Sequence, residues 1–232
     1  MPGHQEADPA FTVLLVCTGN ICRSALAERL GRAYLDEVLG DGATAIRLMS
    51  AGTRAVVGSE MHPDSALVLR GYGAEPGDFR AQQLTEALAA GADLTLTMTR
   101  AHRRDVLARA PRGLARTFTL REAADLLSLP GDAQPVGDNA GERLRGLVKA
   151  LAGARSARTA GDGTDDDVLD PINRPVEVHE EAGELIAASL LPILRRIADV
   201  VVAGSAGPMG PVGRAMITES SGPGGSSASP AA

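Results

Sequence analysis

Phe11-Thr12-Val13-Leu14-Leu15-Val16-Cys17-Thr18-Gly19-Asn20-Ile21-Cys22-Arg23-Ser24 is the stretch on which the fold turns. Its first six residues form a short, β-branched apolar run, the pattern of a buried strand. From Ser24 the period changes. Leu26, Leu30, Ala33, Tyr34 and Val38 fall on one helical face, and Gly40-Asp41-Gly42 ends the pattern. A strand that opens through a tight turn into a helix aims successive backbone N–H groups into one concavity, and the helix N-terminus adds its positive dipole end. Gly19 and Asn20 are residue types that tolerate the left-handed conformations a closed cradle needs. The natural occupant is an anion of phosphate size.

Downstream, short apolar runs and helical patterns alternate. Strands are expected over 45–50, 94–98 and 116–119, and helices over 61–70 (with Pro63 in the first turn), 85–90, 101–110, 121–129, 139–151 and 176–202. Crossovers of helical length make the strands parallel with helices on both faces, a doubly wound α/β sheet. Ligands of such sheets sit beyond the carboxyl ends of the strands, and the first strand-to-helix turn is a favoured place. One domain over 11–203 is expected. The flanks, 1–10 and 204–232, read as disordered tails, and 153–167, rich in Gly, Ala and Asp, as a mobile acidic insertion.

Only 2% of the 232 residues are aromatic and none is Trp, so the core must be built from Leu, Val, Ile and Ala. A net charge of −6, with no basic stripe interleaved with aromatics, speaks against a nucleic-acid partner. The two cysteines lie in one loop, which is no disulfide scaffold. The N-terminus lacks the basic start and apolar stretch of a signal peptide. The longest apolar run is broken by Pro192, Arg195, Arg196 and Asp199, which argues against a membrane span. A soluble protein in the cytoplasm is the expectation. His4, His62, His102 and His179 are scattered without ligand spacing; they read as surface residues, so neither a metal nor another cofactor is expected.

Within the loop, Cys17 is the candidate nucleophile, since amide dipoles, the helix terminus and Arg23 all favour its thiolate. Ser24 can donate a hydrogen bond to the same sulfur. Arg23 supplies a planar fork that matches two phosphate oxygens, and Thr18, Gly19, Asn20, Ile21 and Cys22 complete the binding loop. A phosphate ester also needs its leaving oxygen protonated, and Asp170-Pro171 is the candidate for that acid. The preceding Asp165-Asp166-Asp167 run reads as a solvated charge cluster.

These residues carry a resemblance to the low-molecular-weight protein tyrosine phosphatases, and to their bacterial branch. The string from Val13 to Ser24 is similar to the family's first motif, followed by Ser50-Ala51-Gly52-Thr53, Gln83-Leu84-Thr85, Ala92-Asp93-Leu94 and Asp170-Pro171. The resemblance implies a flavodoxin-like four-stranded parallel sheet and hydrolysis without metal through a cysteinyl-phosphate. It implies Cys17 as nucleophile, Arg23 on the transition state and Asp170 as acid, then base, with Asn20, Ser24 and Ser50 shaping the loop. A phosphotyrosine protein, such as a bacterial tyrosine kinase, is the implied substrate, with the phosphatase acting as a monomer. Three positions depart from the family pattern. Ile172 stands where an aromatic follows the acid, Arg54-Ala55-Val56-Val57-Gly58 lacks a Trp, and Phe79 occupies the place of a loop-buttressing His. Arsenate reductases share the first motif but need further cysteines, and none follows Cys22. Protein arginine phosphatases carry Thr where this chain has Ile21, whose branched side chain suits a phenyl ring. A catalytically weakened phospho-ligand module is the third reading.

Overall fold

The computed structural model describes residues 11–129, 136–158 and 166–205. Four strands, β1 (Phe11–Cys17), β2 (Ile46–Gly52), β3 (Leu94–Thr97) and β4 (Thr117–Thr119), form one sheet in the order β2-β1-β3-β4. Every pairing is parallel, with Phe11 to Cys17 facing Ile46 to Gly52 on one side of β1 and Val13 to Val16 facing Leu94 to Thr97 on the other. The connections run through α1 (Arg23–Leu39), α2 (Pro63–Gly71), α3 (Glu86–Gly91) and α4 (Arg100–Arg109). Then come α5 (Leu120–Ser128), α6 (Ala140–Ala154) and α7 (Val176–Ser205). The doubly wound expectation is met, and each expected element is found with ends shifted by a few residues.

Strand alternation divides the core into two layers. Phe11, Val13, Leu15 and Cys17 face the larger cluster, where α7 packs against α1, α2, α5 and α6. Leu14 and Val16 face a smaller cluster with Ala89, Ala92, Val106 and Ala110 from α3 and α4 and their ends. With apolar side chains on both faces, β1 is buried throughout except at Thr12. Truncating one of its fully buried leucines to Ala would cost about 2–5 kcal/mol. Helix starts are fixed locally: Thr85, Thr99 and Asn139 accept a backbone N–H three residues on, and Thr119 forms a reciprocal capping box with Glu122. Among the described residues no helix is long and apolar enough to cross a membrane.

Of the segment expected to be an acidic insertion, 159–165 lie outside the described residues. Gly153 and Ala154 finish α6, and Arg155–Ala157 form a 3-10 turn. The expected tails also lie outside, except that 204 and 205 end α7. The reading of Asp166 and Asp167 as solvated charges is corrected. Asp166 is buried in a salt bridge with Arg158 at 2.5 Å, and Asp167 accepts the Arg100 backbone N–H at 2.7 Å. Acidic neighbours in a chain diverge once separate arginine and amide partners are folded against them.

Candidate active site

The loop between β1 and α1 is turned inside out relative to an ordinary turn. Its outward carbonyls are taken by amides of the segment that follows β2 and leads to α2. Thr53 N–H donates to Cys17 O at 2.9 Å, Arg54 to Thr18 O at 3.0 Å, Val56 to Gly19 O at 3.0 Å, and His62 to Ile21 O at 2.8 Å. With the carbonyls held outward, the loop's own N–H groups are left for its interior, and that of Asn20 reaches Cys17 Sγ at 3.3 Å. Only Asn20 adopts the left-handed conformation, with φ 56°; Gly19 does not, which corrects half of the expectation. Gly52 is the glycine that the geometry requires, since a Cβ there would collide with the Thr18 carbonyl oxygen.

Cys17 is buried, and its Sγ lies 2.9 Å from Ser24 Oγ. The Asn20 amide nitrogen donates to both Ser24 Oγ (2.9 Å) and Ser50 Oγ (2.8 Å), and Ser50 donates to Glu28 at 2.5 Å. Because Asn20 fills an acceptor site on Ser24, the Ser24 hydroxyl proton is free to point at the sulfur. The Asn20 side-chain oxygen Oδ1 accepts from Gln82 N–H at 2.8 Å, and the Gln82 side chain donates to Ser50 O at 2.8 Å. The buttress therefore comes from residue 82, while Phe79 is buried in the core beneath the Arg29 guanidinium. Burial raises the Glu28 carboxyl above the usual range, with Ser50 and the arginines nearby opposing it.

Arg23 is 4% exposed and reaches from the first turn of α1 to a loop almost 150 residues later in the chain. Its Nη1 donates to Val168 O at 3.2 Å and its Nη2 meets Asp170 Oδ2 at 2.6 Å, while its Nε is buried without a hydrogen-bond partner. Asp170 is half exposed, and its other oxygen accepts Ile172 N–H at 3.3 Å. Val168 N–H donates to Met98 O at 2.8 Å, which pins the segment to the end of β3. The result is one pocket of about 240 Å³, lined by Cys17, Thr18, Gly19, Ile21, Cys22 and Arg23 below and by Arg54, Val56, Asp170 and Ile172 at its sides. Asn20, Ser24 and Ser50 stand behind it. Cys17, Arg23 and Asp170, the candidate nucleophile, cation and acid, thus line one pocket, and no aromatic is among its lining residues.

The histidine reading needs correction. His102 and His179 are buried. His102 links Thr18 Oγ1 (2.8 Å) to Thr99 Oγ1 (2.9 Å), and burial, helped by the Arg23 charge, pushes it down to about 4, so its ring is neutral. His179 stacks on half-buried His62 with ring centroids 4.7 Å apart. His4 lies outside the described residues. Burial pushes the Cys22 thiol up to about 11. Glu28, Gln82, His102 and Asp167 were missed as site residues. Only Glu28 left a local trace, one helical turn beyond Ser24.

The profile described as "Low molecular weight phosphotyrosine protein phosphatase" matches residues 12–126. The chain is similar to the probable low molecular weight protein-tyrosine-phosphatase EpsP of Ralstonia solanacearum, 39% identical over 111 residues, which are 48% of this chain and 71% of that protein. It is also similar to low molecular weight protein-tyrosine phosphatase A of Mycobacterium tuberculosis, 47% identical over 101 residues, covering 42% of this chain and 58% of that one. Among solved structures it resembles the YwlE arginine phosphatase from Geobacillus stearothermophilus, with a TM-score of 0.55, 25% identity, and coverage of 83% of this chain and 94% of that one. The profile match ends before Asp170, whose carboxylate is brought to the site by its 2.6 Å ion pair with Arg23.

Proposed function

The chain belongs to the low-molecular-weight phosphotyrosine protein phosphatase family, and from that premise we propose that it hydrolyses phosphotyrosine through a phosphocysteine on Cys17. The enzyme is a hydrolase of phosphoproteins. In the first step the Cys17 sulfur attacks phosphorus in line; an S–P bond forms as the P–O bond to the phenol breaks. Asp170, as the acid, gives its proton to the departing oxygen, and as the resulting base it takes one from the water that then cleaves the S–P bond. The inward amides and the Arg23 fork, whose buried Nε has no other partner, hold the three remaining oxygens as charge spreads onto them. Ser24 steadies the sulfur as thiolate and as leaving group.

One observation carries this reading: Cys17 and the Arg23–Asp170 pair line the same pocket. The depth of Cys17 supports an aryl ester, since a phosphoserine or phosphothreonine is too short to reach a buried sulfur while its backbone stays outside. A bacterial tyrosine kinase as the substrate, and action as a monomer, belong to the same proposal; the likeness to EpsP, a probable protein-tyrosine-phosphatase, supports a phosphotyrosine protein as the substrate.

Hydrolysis of phosphoarginine is the second reading, favoured by the likeness to the arginine phosphatase structure. Ile21 lines the pocket and opposes it, because a branched apolar side chain suits a phenyl ring and offers a guanidinium no hydrogen-bond partner at that position. Initial rates on matched phosphotyrosine and phosphoarginine peptides, with acid-quench trapping of the phosphocysteine, test both readings. Faster phosphotyrosine turnover with label on Cys17 is expected. Faster phosphoarginine turnover would reverse the choice of substrate, and label on no cysteine would remove the covalent mechanism.

A further inference from the structure

One cluster of donor atoms has no role in the chemistry above. Among the described residues, Cys22 of the cradle, His62 at the start of α2 and His179 in the first turn of α7 each present one ligand-type atom, all within 4.8 Å of one another. The three residues are far apart in sequence, and two of them are buried. Asp64 adds a carboxylate, with Oδ2 3.8 Å from His62 Nδ1 and 3.9 Å from His179 Nε2.

His179 gives the cluster its direction. The side chain has no exposed surface, its Nδ1 lies 2.9 Å from Ser65 Oγ, and its Nε2 has no hydrogen-bond partner. The Pro171 carbonyl is near enough to favour a protonated ring, yet nothing at hydrogen-bond geometry reaches Nε2. Buried ring nitrogens are rarely left this way, because water once solvated them. With Nδ1–H donating to Ser65, Nε2 carries a lone pair aimed at the cluster. A metal-bound histidine is held in the same way by a hydrogen bond on its second nitrogen.

We infer that Cys22, His62, Asp64 and His179 form a binding site for a divalent cation of the zinc type, built into the back of the phosphate cradle. One sulfur, two imidazoles and one carboxylate are the donors that such a cation takes in a four-coordinate site. Bonds of about 2.0–2.3 Å place tetrahedral ligand atoms about 3.3–3.8 Å apart, so the cluster must close by up to about 1 Å. Half-buried His62 and exposed Asp64 are the groups free to move. On binding, the Cys22 proton leaves to solvent as the S–metal bond forms, and nothing is oxidised or reduced. Thiolate and carboxylate then cancel the cation's charge, which burial requires. The bound cation would brace the cradle against the first turns of α2 and α7, the latter lying just beyond the acid loop.

The test uses the full chain carrying Cys17→Ser, which removes the other sulfur able to hold a metal and makes the result independent of the proposed phosphatase activity. Cobalt titration should give a thiolate-to-cobalt charge-transfer band that saturates at one equivalent, and zinc should abolish it by competition. Adding Cys22→Ser should remove the band, and adding His179→Ala should weaken cobalt affinity by at least about tenfold. Asp64→Asn, at an exposed position that does not threaten folding, should weaken it by about tenfold. Zinc should also raise the melting temperature of the Cys17→Ser protein, and not that of the Cys17→Ser, Cys22→Ser protein. No charge-transfer band in the Cys17→Ser protein, or a band unchanged by both His179→Ala and Asp64→Asn, would overturn the site.

Discussion

The cradle of residues 17–24 and the acid loop of residues 166–172 serve one pocket, but they are held in opposite ways. The cradle is mostly buried, and its carbonyls, side chains and sulfur are tied into a dense hydrogen-bond network. The acid loop is fastened at a few points: Asp166 to Arg158, Asp167 to Arg100, Val168 to β3, and Asp170 to Arg23. The Asp170 carboxylate is 45% exposed, against 2% for Cys17. The difference suits the work proposed for each part. Electrostatic stabilisation of a transition state needs dipoles that do not reorganise, while an acid must meet leaving groups of varied shape. His102 is the joint between them. Its ring touches Thr18 in the cradle and Thr99, which caps the helix whose first residue holds Asp167.

Mutations can break this contrast, beginning with the cradle. Cys17→Ser should reduce turnover by about 10⁴-fold or more while leaving thermal stability and oxyanion binding intact. Residual steady-state hydrolysis near the wild-type rate would rule out the covalent route. Asp170→Ala should lower kcat by about 10²–10⁴ for substrates with poor leaving groups, and much less for those that need no protonation. A loss that ignores the leaving group would mean that Asp170 only positions Arg23.

At the joint, the effect is on stability. The folded protein holds His102 near 4, below the ordinary histidine value of 6.5, so the unfolded chain takes up the proton first. Its contribution to stability is therefore complete above pH 6.5 and declines as the pH falls toward 4, by roughly 3 kcal/mol in all. Urea unfolding at pH 7, 5 and 4 should show a shallower acid decline for His102→Asn than for the wild type. Parallel curves would show that some other group carries the acid sensitivity.

Smaller effects are expected in the acid loop. Asp167→Ala should lower kcat about tenfold on poor leaving groups, with little change in KM, because it loosens the acid without removing it. Ile172 is 38% exposed on the pocket wall, and Ile172→Tyr should supply ring stacking worth about 0.5–1.5 kcal/mol. That would appear as a KM for aryl phosphates lower by about 2- to 10-fold with kcat little changed. A fall in kcat alone would mean that the loop's geometry, rather than its missing ring, is what differs.

The sequence by itself determined the cradle. Strand, turn and helix are local choices of φ and ψ, and the residues from Cys17 to Ser24 carry the candidate nucleophile, the cation and left-handed Asn20 in one unbroken string. The helices and the parallel sheet were legible for a similar reason, since apolar periodicity needs no knowledge of the partner surface. Asp170 was named as a candidate because a phosphate ester needs an acid, and the resemblance strengthened it, since an Asp-Pro pair by itself has no local mark of acidity. Tertiary structure alone decided that this carboxylate meets Arg23, that Glu28 and Gln82 steady the loop from behind, and that Asp166 is buried in an ion pair. It also decided that His102 is a buried link and that His62 and His179 meet at Cys22, where the sequence pattern suggested surface residues. Polar side chains leave no periodic trace of their partners. Their burial is settled when distant segments close on one another and each polar atom taken from water has to find a replacement.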